Sequence, residues 1–374
     1  MESTAVGNCA MPVNPATPLK IGVFIELLAP HPDRSFVNQI VTILQHGANI
    51  GYFGPRVSVY TPNCKSAKIH KDVLLKSVQK EIDLGHTVGP FRHAPFVNMV
   101  CSSLGVVPKK TSGFRIILDL SRPVGQSVND YIDKATFSLS FCSVDDAIAL
   151  LKRFGKGALM AKQDIKHAFR LIPVRREDWH LLGYCIEGLY YFDVVLPFGC
   201  RSSPYLFCLF SQALHWIVAH MFGFDNLLHY MDDFFFVGKS KSAECTNIVQ
   251  LFIAAADRLG IPLATEKAEG PATKLTFLGV ELDSVACTIA LPPNKHAAIL
   301  LLLQQWAVRS LCTKTELQSL IGTLQFAAKC VPVGRLFVRR MINLLPVSGT
   351  DAIVLGADIR EDIQWWLDFL PIWN

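Results

Sequence analysis

The four residues Tyr230-Met231-Asp232-Asp233 interrupt an apolar run, with Leu227-Leu228-His229 before them and Phe234-Phe235-Phe236-Val237-Gly238 after. Ionised side chains are almost never fully buried unless they are paired or bind a metal. The simplest geometry is a β-hairpin over 227–238 whose tip offers both aspartates to a cation. Adjacent hard oxygen donors of this kind suit a divalent ion, and divalent ions drive phosphoryl transfer. Nucleotide transfer to a 3′-hydroxyl uses two such ions about 3.5–4 Å apart. The site would then need a third carboxylate on a neighbouring strand. Asp164 fits that place, because it ends the short apolar strand predicted over Ala158–Asp164 and a helix lies between it and the hairpin.

The elements that must hold these residues can be read from pattern. Residues 1–30, punctuated by Pro12, Pro15, Pro18 and Pro30, read as a loose leader. Helical periodicity (Val73-Leu74-Leu75, Val78, Ile82) follows, and then an extended segment over 90–135 with a strand at Phe114–Leu120 after a Lys109–Gly113 turn. Ser143 caps a helix reaching Phe154, with Asp145 and Asp146 in its first turn. Ser202-Ser203-Pro204 opens a helix to about Phe222, another covers Ala243–Leu259, and a single strand is expected at Leu275–Leu282. From residue 294 onward the pattern is helical: Thr313 and Glu316 form a capping box, and a further helix runs through Arg339-Arg340. Strands interleaved with helices and then a helical segment predict an α+β fold.

Composition narrows the class. The 374 residues are 51% hydrophobic and 18% charged, as in a folded globular protein. No uninterrupted apolar run reaches the roughly 18 residues of a membrane helix, and no signal peptide is read at the N-terminus, so an intracellular protein, cytoplasmic or nuclear, without a membrane partner is expected. The 11 cysteines form no C-x-x-C pair and are expected to be reduced and mostly buried. His215 and His220, five apart on a helix, are read as structural. The net charge of +5 is uneven. Beyond residue 345 only Arg360 faces Asp351, Asp358, Glu361, Asp362 and Asp368, so the preceding chain is more basic than the whole. Its dispersed clusters, including Lys109-Lys110, Arg175-Arg176 and Arg339-Arg340, suit a polyanionic partner touching several subdomains.

Four segments in order carry a resemblance: Gln163–Phe169, Leu196-Pro197-Phe198-Gly199-Cys200-Arg201-Ser202-Ser203-Pro204, Tyr230–Asp233 and Phe277–Leu282. Together they resemble the motifs of reverse transcriptases. Ser103–Lys110, Asp119-Leu120-Ser121, Ser127–Asp130, Leu320–Ala327 and Trp365–Pro371 are similar to the polymerase region of DIRS-type retrotransposons, over about 31–374. The resemblance implies a right-hand polymerase fold. Its parts would be a leader (1–30), N-terminal extension and fingers (31–135), palm (136–172), fingers again (173–200), palm with the hairpin (201–283), helical thumb (284–345) and an acidic segment (346–374) leading toward an RNase H domain expected to be missing.

It also implies roles. Asp164, Asp232 and Asp233, with the Ile165 carbonyl, would hold two Mg²⁺, with Mn²⁺ able to substitute, and Lys267 would be the general acid for pyrophosphate. Arg115 and Lys109 or Lys110 would contact the triphosphate of a dNTP, a task suited to a guanidinium fork. Phe169 would lie beneath the sugar and exclude a 2′-hydroxyl, with Phe198, Gly199 and Met231 completing the nucleotide site. Retroviral enzymes carry Gln where Phe198 stands, which replaces a polar contact with a stacking surface. Ser202, Pro204, Tyr230, Phe277, Leu278, Gly279, Arg335, Arg339 and Arg340 would meet an RNA or DNA template–primer duplex, the arginines following its backbone without reading sequence. The implied activity is RNA-directed DNA synthesis. The alternatives are a retroelement-derived nucleic-acid-binding protein without turnover and a truncated reading frame. Nothing in the sequence specifies an oligomeric state.

Overall fold

Strand Asp233–Gly238 has no alternation because both of its faces are covered. Phe234, Phe235 and Phe236 are all fully buried, and Phe252 of the helix Glu244–Leu259 packs against the first and third at ring-centroid distances of 4.7 and 5.0 Å. Each such ring contributes roughly 1.5–3 kcal/mol on burial, which offsets the cost of half-burying two carboxylates beside them. The computed structural model describes Met11 and residues 17–109, 113–345 and 352–373. The chain divides into two compact units. The first comprises Met1–Cys142, Gln163–Phe236 and Asn247–Ala268, and the second Ser143–Lys162, Val237–Thr246 and Glu269–Asn374.

In the first unit a five-stranded sheet runs in the order Val59–Tyr60, Val100–Cys101, Gly183–Ile186, Leu189–Asp193, Thr87–Phe91. A separate antiparallel ribbon pairs Ser103–Pro108 with Phe114–Asp119, setting Val107 opposite Arg115. The helix Ser203–Phe222 is long and apolar enough to cross a membrane by length and composition alone. Here it is a core helix, burying Leu206, Phe207, Leu209, Phe210, Leu214 and Ile217 among others. Most of the first half of the expected loose leader, 1–10 and 12–16, lies outside the described residues; within the rest, Ile21–Leu27 is a helix with Phe24 buried edge-on to Phe210. Lys20 N–H bonds the Leu259 carbonyl and Arg258 pairs with Glu26 at 2.6 Å, so these contacts tie down this part of the segment read as loose.

The second unit opens with helix Val144–Phe154 under the expected cap, a reciprocal box of Ser143 and Asp146. The expected single strand Leu275–Leu282 is instead a hairpin, Lys274–Phe277 paired with Val280–Asp283. Its two-residue turn has Leu278 at φ 47° and Gly279 at φ 78°, the left-handed pair that matches the twist of flanking strands. The buried residues shift phase there, from Leu275 and Phe277 to Val280 and Leu282, and that shift was the overlooked signal. Helices Pro293–Ala307, Lys314–Ala327 and Leu336–Asn343 follow, the second under the Thr313–Glu316 box. The acidic segment is ordered as helix Ala357–Trp373, which packs on Pro293–Ala307 and Leu336–Asn343 and fully buries Trp366. None of the ten described cysteines forms a disulfide, and most of them are buried.

Candidate active site

The expected hairpin forms with Asp233 opposite Tyr230 and Phe236 opposite Leu227. Met231 turns the chain at φ 56°, a left-handed conformation that costs a non-glycine residue roughly 1–2 kcal/mol. The turn places half-buried Asp232 at the tip while strand pairing holds Asp233 beside it. The Asp232 carbonyl accepts the Ile165 N–H at 3.0 Å, which sets Asp164, one residue earlier, alongside the hairpin. The loop after helix Glu244–Leu259 is stitched to the same segment. Ala264 N–H bonds the Asp164 carbonyl at 2.8 Å, and Lys166 N–H bonds Pro262 at 2.9 Å. That loop carries Lys267, whose ammonium donates to Asp164 Oδ1 at 3.0 Å.

Burial pushes the Asp232 carboxyl above its ordinary range, and the Asp164 charge adds to this, while Asp232's own backbone N–H and Lys267 pull it down. The hydrogen bond to Asp164 raises Lys267, with the charges of Asp164, Asp232 and Asp233 behind it. Cys208, on the long apolar helix, is pushed to about 12 by burial and by Asp232. Neighbouring carboxylates of this kind, one disfavoured as an anion, fit a hard divalent cation. Among the described residues no three His, Cys, Asp or Glu side chains close into a ready-made cage. The donor set is open, as expected where phosphate and water must complete the coordination.

Phe169 lies beyond Asp164 on the short turn Ala168–Leu171, its ring 5.1 Å from Phe198 and 5.6 Å from Phe207. Phe198 is 52% exposed, so it presents an open aromatic face. Gly199, at φ 104°, lets the backbone approach the Leu118 carbonyl, which a Cβ would meet at 2.7 Å. Ser202 is fully buried at the start of helix Ser203–Phe222, with Pro204 in that helix's first turn. Tyr230 packs on Phe141 at 4.7 Å. Arg115 and Lys109 line a cavity of about 360 Å³ that also reaches Phe198. Lys110 lies outside the described residues.

Some participants were missed. Asn129 donates to the Gly199 carbonyl at 2.8 Å and accepts from Arg201 N–H at 2.8 Å, clasping the loop that bears Phe198. Arg170 is buried against Glu81 and Asp193 in the same cavity; an arginine inside the apolar run Ala168–Ile172 was the available signal. His215, read as structural, meets His229 Nδ1 to Nδ1 at 2.9 Å, and His220 stacks on Trp216.

In the second unit Phe277 is buried, and Leu278 and Gly279 form the turn described above. Lys295 donates to the Gly279 carbonyl at 3.3 Å and sits 4.5 Å over the Phe326 ring, fixing that turn. Arg335 and Arg339 are exposed. Arg340 is also exposed, and pairs with fully buried Asp362 at 2.7 Å and approaches Glu361 at 3.8 Å. A carboxylate buried with that helix demands a partner more strongly than an exposed surface demands a cation.

Residues 107–282 match the family model of reverse transcriptase (RNA-dependent DNA polymerase). The matched segment contains Arg115, Asp164, Phe169, Phe198, Asp232, Asp233 and Lys267, whereas Arg335, Arg339 and Arg340 lie beyond it. The Tf2-3 and Tf2-7 transposon polyproteins of Schizosaccharomyces pombe (strain 972 / ATCC 24843) are 22% identical over 292 residues, covering 78% of this chain and 19% of theirs. The chain thus spans about a fifth of the length of these curated relatives. A foamy viral protease-reverse transcriptase dRH in complex with double-stranded DNA superposes with a TM-score of 0.65 at 16% identity, over 98% of this chain and 62% of that one. The foamy viral protease-reverse transcriptase with an RNA/DNA hybrid gives 0.64 at 15% identity, over 96% and 47%. The fold is therefore the α+β right-hand polymerase fold that the reverse transcriptase motifs implied.

Proposed function

We propose that this chain is the polymerase region of a retrotransposon reverse transcriptase of the DIRS type, extending a primer on an RNA or DNA template with dNTPs. The observation that carries the reading is the Ile165–Asp232 backbone bond, which sets Asp164 against the Asp232–Asp233 hairpin within reach of Lys267. Asp164, Asp232 and Asp233, with the Ile165 carbonyl, would hold two Mg²⁺ or Mn²⁺. Ions held by these residues would supply activation of the primer hydroxyl and charge neutralisation for the leaving pyrophosphate.

The chain's own groups do the rest. Lys267 is held as an ammonium by Asp164 and can hand its proton to the departing pyrophosphate, as a general acid on an exposed, pivoting stem. Arg115 and Lys109 would bind the triphosphate from the cavity wall. Phe169, braced by Phe198 and Phe207, would pack beneath the sugar, where a 2′-hydroxyl has no room. Arg335, Arg339, Tyr230, Pro204 and the Phe277–Gly279 turn would meet the template–primer duplex. Primer extension on poly(rA)/oligo(dT) with Mg²⁺ and dTTP tests the reading and should yield labelled product. No incorporation by folded protein that still binds the duplex would reduce it to a nucleic-acid binder.

A further inference from the structure

Arg170 is 7% exposed and each of its three guanidinium nitrogens meets a carboxylate. Nε donates to Glu81 Oε2 at 2.9 Å, Nη2 pairs with the same oxygen at 2.8 Å, and Nη1 donates to Asp193 Oδ2 at 2.6 Å. Both carboxylates are held in turn. Thr87 Oγ1 donates to Asp193 Oδ1 at 2.6 Å, and His86 Nδ1 meets Glu81 Oε2 at 2.8 Å. One side chain thereby joins helix Lys71–Asp83 and strands Thr87–Phe91 and Leu189–Asp193 to the turn Ala168–Leu171. All of these lie in the first unit.

That turn begins under strain. His167 has φ 64° and Ala168 φ 29°, two consecutive non-glycine residues in conformations unfavourable to L-residues, and they persist only if their surroundings hold them. Arg170 supplies the hold, through its N–H to the His167 carbonyl at 2.8 Å and through its buried fork. Phe169 lies between the strained pair and the anchor. For stability alone, well-packed apolar residues would serve as well as a buried ion cluster, whereas a bidentate fork fixes orientation.

We propose that Arg170, held by Glu81 and Asp193, is a positioning residue that sets the Phe169 ring and hence the strictness of sugar selection. This rests on the reading of Phe169 as the surface beneath the incoming sugar. The fork reaches two separate carboxylates, which a lysine ammonium cannot match in geometry. Arg170→Lys therefore keeps the charge and releases the ring.

The test compares kcat/KM for dTTP and UTP on poly(rA)/oligo(dT) in Arg170→Lys, in the milder Asp193→Asn, in Phe169→Ala and in the Arg170→Lys/Phe169→Ala double variant, each checked by thermal melting. Misplacement of this kind acts through ångström-scale shifts, so Arg170→Lys should lower the dTTP/UTP ratio about tenfold, mostly by raising UTP use. Asp193→Asn should shift the ratio the same way by less. The double variant should be no less selective than Phe169→Ala, because the anchor acts only through the ring. Folded Arg170→Lys and Asp193→Asn proteins with the wild-type ratio, or with equal losses on both nucleotides, would overturn the proposal while leaving Phe169 its role. An unchanged ratio in Phe169→Ala would instead remove the ring's role and this inference with it.

Discussion

At the hairpin, Asp164 meets Lys267, whose side chain is 60% exposed; elsewhere in the same unit, Glu81 and Asp193 meet Arg170, whose side chain is 8% exposed. Both are carboxylate–cation clusters, and they use charge in opposite ways. In the first, one donor holds one oxygen, the cation can swing away, and the Asp232 carboxyl is left uncomfortable by burial. In the second, burial would also raise Glu81, yet bonds from His86 and Arg170 outweigh it and bring the carboxyl down to about 2. An open cluster keeps reactive potential in reserve, whereas a closed one spends it on rigidity. Substitutions should therefore separate activity from stability differently in the two places.

The contrast can be broken at its sharpest point first. Asp232→Asn should cut nucleotide incorporation at least about a thousandfold, because several kcal/mol of charge stabilisation depend on the cation it would help hold. The same change should leave the melting temperature level or higher, since it removes a charge that burial disfavours. Primer extension beside a thermal melt checks both halves, and an active mutant would refute the ligand assignment. Arg170→Met should do the reverse in kind, costing about 3 kcal/mol of stability by leaving buried Asp193 and half-buried Glu81 without their partner. Urea unfolding measures this, and a loss under about 1 kcal/mol would mean the cluster is looser than its geometry.

Lys267→Met should slow turnover about a hundredfold, the lower end for a general acid. Being an exposed pair, it should change unfolding free energy by less than about 1 kcal/mol. The smallest effect is the acid limb. Glu81 has its folded value depressed from 4.5 to about 2, so its contribution is complete above the unfolded value and is lost as pH falls from there toward 2. Allowing for its partial exposure, that is about 2 kcal/mol. Stability measured from pH 6 to 3 should drop less steeply in Glu81→Gln than in the parent, and parallel curves would remove Glu81 from the account.

The open cluster was legible in sequence and the closed one was not. Two adjacent aspartates in an apolar run violate local pattern, and such violations stand out. Asp164 could be found because it ends a short strand. Glu81, Asp193 and Arg170 are scattered through elements whose periodicity each obeys, and their meeting depends on tertiary pairing that spacing cannot encode. The helix Ile21–Leu27 escaped for a related reason: Pro18 and Pro30 on either side speak locally, while Phe24 against Phe210 is a long-range contact. The pairing of Arg340 with Asp362 could not be read for the same reason, since Asp362 lies on another helix.

The Ile165–Asp232 bond is also a clock. It joins the backbone just after one carboxylate to the backbone at another, so the two acids cannot drift apart without exposing the Ile165 amide to solvent. Hydrogen–deuterium exchange at that single amide would count the openings, and a duplex or nucleotide that holds the acids together would lengthen the interval between them.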